Sequence, residues 1–364
     1  MRKSGFQLLQ LVTKTSGMKK MVLIGLFLYA CAAQAQQKPY YTQYILNNYM
    51  LNPALSGIET YTDVKLSYRS QWTGIDGSPV TAYASINAPI GDQDKVSGSV
   101  AAVERTGANL RGKSYWNEYS APEAHSGAGL ILLNDKTGFI NRFSMYGTYA
   151  YHKPLGNQTT LSAGFLAGFT NVTLDASKVI LDDPGQNPDP FDPSIGFASG
   201  DLKALMPEVG AGLWLYSRDY YLGLSVLNIV PAKARFVTDS KYGSSFVPHY
   251  IFSAGYRFMA ADDLSVLPSV IVQSVQPLPM QVHANVKLQF QDQLWFGGSY
   301  RYGDKLGGFA AMAGVYISSA INIGYSYDMS ANSRLRQFAG DTHEIVVGFL
   351  LNNRNGDSCP RNVW

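Results

Sequence analysis

The sequence predicts an all-β fold: a transmembrane, antiparallel, up-and-down β-barrel of about 14 strands (12–16), with both termini periplasmic. Three observations predict it. The first is period-two alternation. In "QVHANVKLQF" (281–290), Val282, Ala284, Val286, Leu288 and Phe290 share one side of an extended strand, and Gln281, His283, Asn285, Lys287 and Gln289 share the other. The second is composition. Charged residues make up only 15%, against roughly 25% in an average soluble domain, while Gly (35) and Tyr (24) are plentiful. The third is an export sequence at the N-terminus with no later apolar run of the 18 residues that a membrane helix needs.

Taken in order, residues 1–17 read as an upstream extension, with Met18 as the expected start. "MKKMVLIGLFLYACAAQAQQ" (18–37) then has two lysines, an apolar stretch from Met21 to Ala30 and the small-residue pattern Ala33-Gln34-Ala35, which predicts a signal peptide cleaved between Ala35 and Gln36. The alternative is a lipoprotein signal with Cys31 acylated. After ordinary cleavage only Cys359 remains, so no disulfide forms within the mature chain. Residues 36–58 are expected to form an N-terminal periplasmic or plug segment. In "NNYMLNPALSG" (47–57), Pro53 and Gly57 shape a turn into the first strand, and Tyr49, Met50 and Leu51 are expected under the barrel mouth.

The barrel is expected over residues 59–351, with strands at 60–70, 79–90, 126–135, 140–152, 158–173, 204–216, 219–229, 247–259, 263–274, 279–290, 293–302, 306–317, 319–328 and 341–351. Each alternates. Val64, Leu66 and Tyr68 oppose Asp63, Lys65, Ser67 and Arg69; Leu161, Ala163, Phe165 and Phe169 oppose Ser162, Gly164 and Gly168; Phe252, Tyr256 and Phe258 oppose Ser253, Gly255 and Arg257; Ile321, Ile323, Tyr325 and Tyr327 oppose Asn322, Gly324, Ser326 and Asp328. Aromatics at strand ends suit the interfacial girdles of a membrane barrel, and the Gly, Ser, Asn and charge opposite them suit a wet lumen. A soluble sandwich would carry more charge outside, so the apolar sides are expected to touch lipid.

Short turns at 154–158, 216–220, 259–263, 290–293 and 317–320 alternate with longer connections, as periplasmic turns alternate with extracellular loops. The strand-like "KVSGSVAAVERTG" (95–107) would make the count odd, so 92–124 is treated as a periplasmic insertion. Residues 352–364 form a polar periplasmic tail.

Catalytic and metal signatures are sparse. His125, His152, His249, His283 and His343 lie in no nucleophile elbow, paired-His helix or Cys/His cluster, and His283 reads as a lumen-lining residue. No catalytic, cofactor or metal residues are assigned, and no enzyme is expected. The Asp- and Pro-rich "LDDPGQNPDPFDPS" (181–194) lacks an EF-hand pattern and reads as an extracellular loop. Arg69 is expected to make either a lumen ion pair with Asp63 or Asp328 or a contact with cargo. The net charge of +3 without a basic run argues against nucleic acid.

One block is specific. "YTQYILNNYMLNPALSGIETYTDVKLSYRSQWTGIDGSPVTAYASINAPIG" (41–91), with Gln43-Tyr44, Asn52-Pro53-Ala54, Gly57 and "YRSQWTGIDGSP" (68–79), resembles the start of the PorP/SprF family of type IX secretion outer-membrane proteins of Bacteroidetes. "GLILLNDKTG" (129–138), "YAYHKPLG" (149–156), "HYIFSAGYRF" (249–258), "LWFGGSYRYGD" (294–304) and "HEIVVGF" (343–349) extend the resemblance over essentially the whole mature chain, while 92–124 departs from it. The resemblance implies an outer-membrane barrel that binds, exports or anchors a large secreted surface adhesin and docks to periplasmic secretion machinery. It also makes Asn52, Pro53, Gly57, Tyr68, Arg69, Gln71 and Trp72 candidate partner-contact residues. The alternative function is a passive channel for small or hydrophobic solutes; a barrel hydrolase is a third, for which no Ser-His pairing is apparent.

Overall fold

The computed structural model describes residues 47–91, 120–175, 202–230, 232–234, 244–276, 278–291, 293–303, 308–318, 320–330 and 340–352. The signal sequence with Ala35 and Gln36, most of the 92–124 insertion, the Asp-rich loop and the tail from 353 with Cys359 lie outside them.

The chain forms one closed antiparallel barrel. Its strands are β1 (Thr62–Ser70), β2 (Val80–Ile90), β3 (His125–Thr137), β4 (Ile140–Pro154), β5 (Thr159–Leu174), β6 (Leu202–Ser217) and β7 (Tyr220–Leu227). A separate two-stranded sheet of β8 (Ala232–Ala234) and β9 (Ser244–Phe246) follows. The barrel resumes with β10 (His249–Tyr256), β11 (Phe258–Ala261), β12 (Leu264–Val275), β13 (Gln281–Phe290), β14 (Leu294–Tyr302), β15 (Gly308–Ser318), β16 (Ile321–Ser330) and β17 (Thr342–Leu351). Each strand pairs with its neighbour in sequence, and β1 closes the circle on β17 from Thr62↔Leu351 to Ser70↔His343. Closure leaves no edge for another chain to extend.

β10 and β11 are one stave, which makes fourteen. Gly255 faces Ser269 and Phe258 faces Val266, so the register runs straight through the gap at Arg257. The residue facing Tyr256 in that register is Pro268, which has no N–H to donate. Arg257 N–H instead donates to the Asp219 carbonyl at 2.6 Å, across the adjoining turn. The observed stave ends lie within two residues of the sequence expectation.

The strands sort the connections by end. Turns 155–158, 218–219, 262–263, 291–293 and 319–320 share one end with the start of β1, the close of β17 and the 91–124 connection. Connections 71–79, 175–201, 228–248, 276–280, 303–307 and 331–341 share the other, together with a tight turn at 138–139 whose Gly138 has φ +58°.

Polarity is inverted relative to a soluble sheet. On β13, Val286 (47%), Leu288 (43%) and Phe290 (46%) are exposed, whereas Lys287 (1%) and Asn285 (3%) are buried. The apolar side of "QVHANVKLQF" therefore faces outward, as it does on every long strand, from Leu66 and Ile86 to Phe165, Phe296 and Ile345. An exposed apolar band around a closed barrel is a lipid-contacting surface. Gln281, His283, Asn285, Lys287 and Gln289 all face inward, as their phase predicts, and all are buried.

Candidate functional site

What fills the lumen is, in part, the chain's own N-terminal segment. Residues 47–61 lie inside the barrel, ahead of β1, and Tyr49, Ala54, Leu55, Ser56 and Ile58 are almost wholly buried. Tyr49, Met50 and Leu51 were expected beneath the mouth; they sit within the lumen. Tyr49 and Met50 join a cluster with Ile131, Leu133, Tyr146, Leu166 and Trp214, and Leu51 packs against a second cluster that includes Ile271, Trp295, Met312 and Val346. The segment thus touches apolar residues on both sides of the barrel interior.

Local chemistry shapes it into two 3-10 turns, Asn48–Met50 and Pro53–Leu55. Pro53 opens the second with φ already set, and the Asn52 side chain caps it, accepting from Ala54 N–H at 3.0 Å. The other end of the same amide donates to the carbonyls of Leu213 (3.0 Å) and Leu224 (3.2 Å), so Asn52 ties the turn to β6 and β7. Gly57 has φ +67° and lies against Gly127 and Ala88, a position closed to any residue with a Cβ.

The wall grips the segment largely by its main chain. Ser225 Oγ donates to the Leu51 carbonyl (2.6 Å), Ser162 Oγ to that of Ala54 (2.5 Å) and His152 Nε2 to that of Ser56 (2.9 Å); His125 Nε2 lies 3.2 Å from the Gly57 carbonyl. Gly57 N–H in turn donates to Asn87 Oδ1 at 3.0 Å. His125 and His152 are stacked, ring centroids 4.5 Å apart, so the two carbonyls are met by one rigid unit. Side-chain contacts add Asn47 Nδ2 to Ser85 Oγ (3.1 Å) and Tyr49 hydroxyl to Thr148 (2.5 Å).

Close approach needs room, and glycines supply it. A Cβ on Gly164 would come within 2.6 Å of Pro53 O and Ala54 N; on Gly127 it would strike the Ser56 carbonyl, on Gly129 the Tyr49 hydroxyl and on Gly212 the Asn52 amide. Between the segment and the wall remains a cavity of about 30 Å³, lined by Met50, Leu51, Ile131, Leu133, Leu166 and Ile251 among others. That cavity has space for a water or two.

The remaining candidate residues gather at the other end, near the long loops. Arg69, buried on β1, is held by Glu344 (2.9 Å) and Asp328 (3.0 Å), and Arg301 shares Asp328 at 3.0 Å. Of the two acids expected for Arg69, Asp328 is a partner; Asp63 pairs with Lys65 at 2.6 Å. Gln71, with its amide oxygen turned to Arg69, accepts from Nε and Nη2 at 2.9 Å. Tyr68 faces outward among the lipid-facing residues. Trp72, at φ +53°, donates its N–H to Thr342 Oγ1 at 3.3 Å and pins the 71–79 loop to β17. The structure therefore separates the seven into two groups: Asn52, Pro53 and Gly57 within the lumen, and Tyr68, Arg69, Gln71 and Trp72 at its long-loop rim.

Sequence reasoning missed the seat itself. His125, His152, Ser162 and Ser225 carry no motif; the available signal was their inward phase, next to glycines of the same phase at 127, 164 and 212. Among the described residues no group of three His, Cys, Asp or Glu side chains is placed to hold a metal ion.

Comparison with known families decides the affiliation. The family described as type IX secretion system membrane protein PorP/SprF matches residues 33–349. The chain belongs to the PorP/SprF family.

Both groups of candidate residues and all of the barrel but the last two residues of β17 lie inside that match, so the PorP/SprF chain is a type IX secretion outer-membrane barrel. No curated protein matches it. Solved structures similar to this PorP/SprF barrel include the Ralstonia pickettii toluene transporter TbuX (12% identity, 82% of this chain and 92% of that one, TM-score 0.43). A Pseudomonas aeruginosa FadL homologue (12%, 83% and 93%, 0.44) and Acinetobacter baumannii Omp33 (8%, 81% and 100%, 0.43) are also similar. At these scores the likeness carries no argument about what the PorP/SprF barrel transports or binds.

Proposed function

We propose that this barrel acts by binding: it exports or anchors a large cell-surface adhesin through the adhesin's C-terminal region, and its short-turn end docks to periplasmic secretion machinery. The observation that carries this reading is the filled lumen of a type IX secretion barrel. Inward side chains on β13 are as buried as those on β3 to β6. A passive channel needs a continuous wet path, and residues 47–58 occupy the lumen against β2 to β7.

In this reading a signal peptide ending at Ala35 directs export, with Met18 the start and Gln36 the first mature residue. Both termini are periplasmic, so the 92–124 insertion and the 352–364 tail emerge beside the short turns and face the machinery. The long-loop end, with Tyr68, Arg69, Gln71 and Trp72 around its rim, faces the surface and the cargo. In this reading the lipid-facing band sits in the outer membrane, and a nucleic-acid partner is not expected.

The test is a pull-down of tagged protein from native outer membranes in mild detergent, with mass spectrometry of what accompanies it. A large secreted protein or secretion-machinery components in near-stoichiometric amount is the expected result. A partner-free barrel, even at low salt after crosslinking, would overturn the reading in favour of a solute channel.

A further inference from the structure

The seat of residues 47–58 has the character of a binding site. Four wall side chains on β3, β4, β5 and β7 meet four main-chain carbonyls in seven residues of sequence, at Leu51, Ala54, Ser56 and Gly57. A fifth, Asn87 on β2, accepts a main-chain N–H. Glycines on β3, β5 and β6 bring the wall's backbone against the segment's backbone. Ordinary packing between a barrel and a covalent extension would be carried by side chains. Here the wall reads polypeptide as polypeptide, in the way that recognition of extended peptides draws affinity from main-chain hydrogen bonds.

None of these contacts is local in sequence. The bonds span 30 to 174 residues, so the barrel's hydrogen-bonded ring from β1 to β17 is complete without the segment. Removing the segment breaks no barrel pair.

We infer that residues 47–58 are a removable plug: the inner wall of β2 to β7 is a binding site for polypeptide main chain, occupied in this state by the chain's own N-terminal segment, and the lumen opens when that segment leaves. The seat's ligand class is a short stretch of peptide with small residues at the glycine contacts, as Ala54, Ser56 and Gly57 are. This inference stands apart from the adhesin reading, since a barrel that is gated by its own plug and binds no adhesin would sustain one and sink the other.

The test is single-channel recording of the full-length purified protein in planar bilayers. The wild type is expected to be silent. The variant carrying His152→Ala, Ser162→Ala and Ser225→Ala loses three carbonyl donors, and its open probability is expected to rise by about tenfold or more, as the loss of even one or two net hydrogen bonds allows. A synthetic peptide of residues 47–58 added to that variant is expected to close it again. A wild type that conducts as freely as the variant, or a folded variant that stays silent, overturns the inference.

A second measurement covers the case of a variant that does not fold. Ser56, fully buried, is replaced by Cys in a chain whose Cys31 and Cys359 are changed to Ser. Thiol labelling is then followed in rising urea alongside the mobility of the folded barrel. Labelling of the Ser56→Cys chain while the barrel is still folded is expected; labelling only as the barrel collapses overturns the inference.

Discussion

Arg69 is held by two carboxylates and a glutamine inside a membrane protein, and such an arrangement is unforgiving. Removing one member of a buried ion network leaves the others desolvated and unpaired. Arg69→Met is therefore expected to lower stability by roughly 3–5 kcal/mol, read as an earlier unfolding midpoint in a urea titration followed by tryptophan fluorescence. Glycine offers a second residue-level test. Gly164→Ala puts a methyl against Pro53 and Ala54, and overpacking of this kind costs about 1–3 kcal/mol. Gly298→Ala, on an outward position with no atom within 4 Å of the new Cβ, is expected to leave the midpoint unchanged. How much of this was legible differs by residue. The phase of β1 turned Arg69 inward and named Asp328, but Glu344 stands 275 residues away and entered only with barrel closure. The histidines were weighed for catalysis and metal binding, and neither question could find a ring that bonds a backbone carbonyl. Hydrogen bonds to a main chain leave no mark in the side-chain pattern of the partner.

At the scale of elements, period-two alternation located every stave, because each strand has one side in lipid and one away from it, and the two environments select different side chains at every second residue. What alternation could not show was interruption. The break between β10 and β11 falls beside the pairing of Tyr256 with Pro268 on the neighbouring strand, a non-local feature that β10's own sequence does not contain. Pro268→Val supplies the missing N–H, whose acceptor is the Tyr256 carbonyl, and the new amide at 268 is expected to exchange roughly fivefold more slowly than an unbonded amide, the value of one hydrogen bond of about 1 kcal/mol. An unprotected amide at 268 would mean that the gap is set by the Arg257–Asp219 contact instead. The short 3-10 turns of the N-terminal segment escaped the same logic. They have no periodicity, and their shape depends on Asn52 reaching carbonyls on β6 and β7.

For the whole molecule, strand parity, closure and the outward apolar band followed from the sequence, whereas the state of the lumen did not. A polar inner face looks the same in a wet channel as in a filled one; only the third dimension says whether Lys287 meets water or the Trp295 ring, whose centroid lies 5.1 Å from its ammonium. The band itself predicts a depth profile. Val286→Lys, near the middle of β13, is expected to cost about 2–4 kcal/mol, and Tyr302→Lys, at the end of β14, about 0–1. Refolding titrations into bilayers of fixed thickness measure both, and equal costs would mean that the hydrocarbon layer does not centre on β13. Finally, residue 61 is followed at once by β1, so the lumen segment is covalently tethered to the wall it occupies. A tether this short keeps the segment at an effective local concentration of about millimolar or more, whatever the number of barrels in the membrane. Re-seating is then a first-order event, independent of dilution. Any foreign chain that takes the seat competes with a ligand that never diffuses away, and once the competitor leaves, the barrel closes by itself.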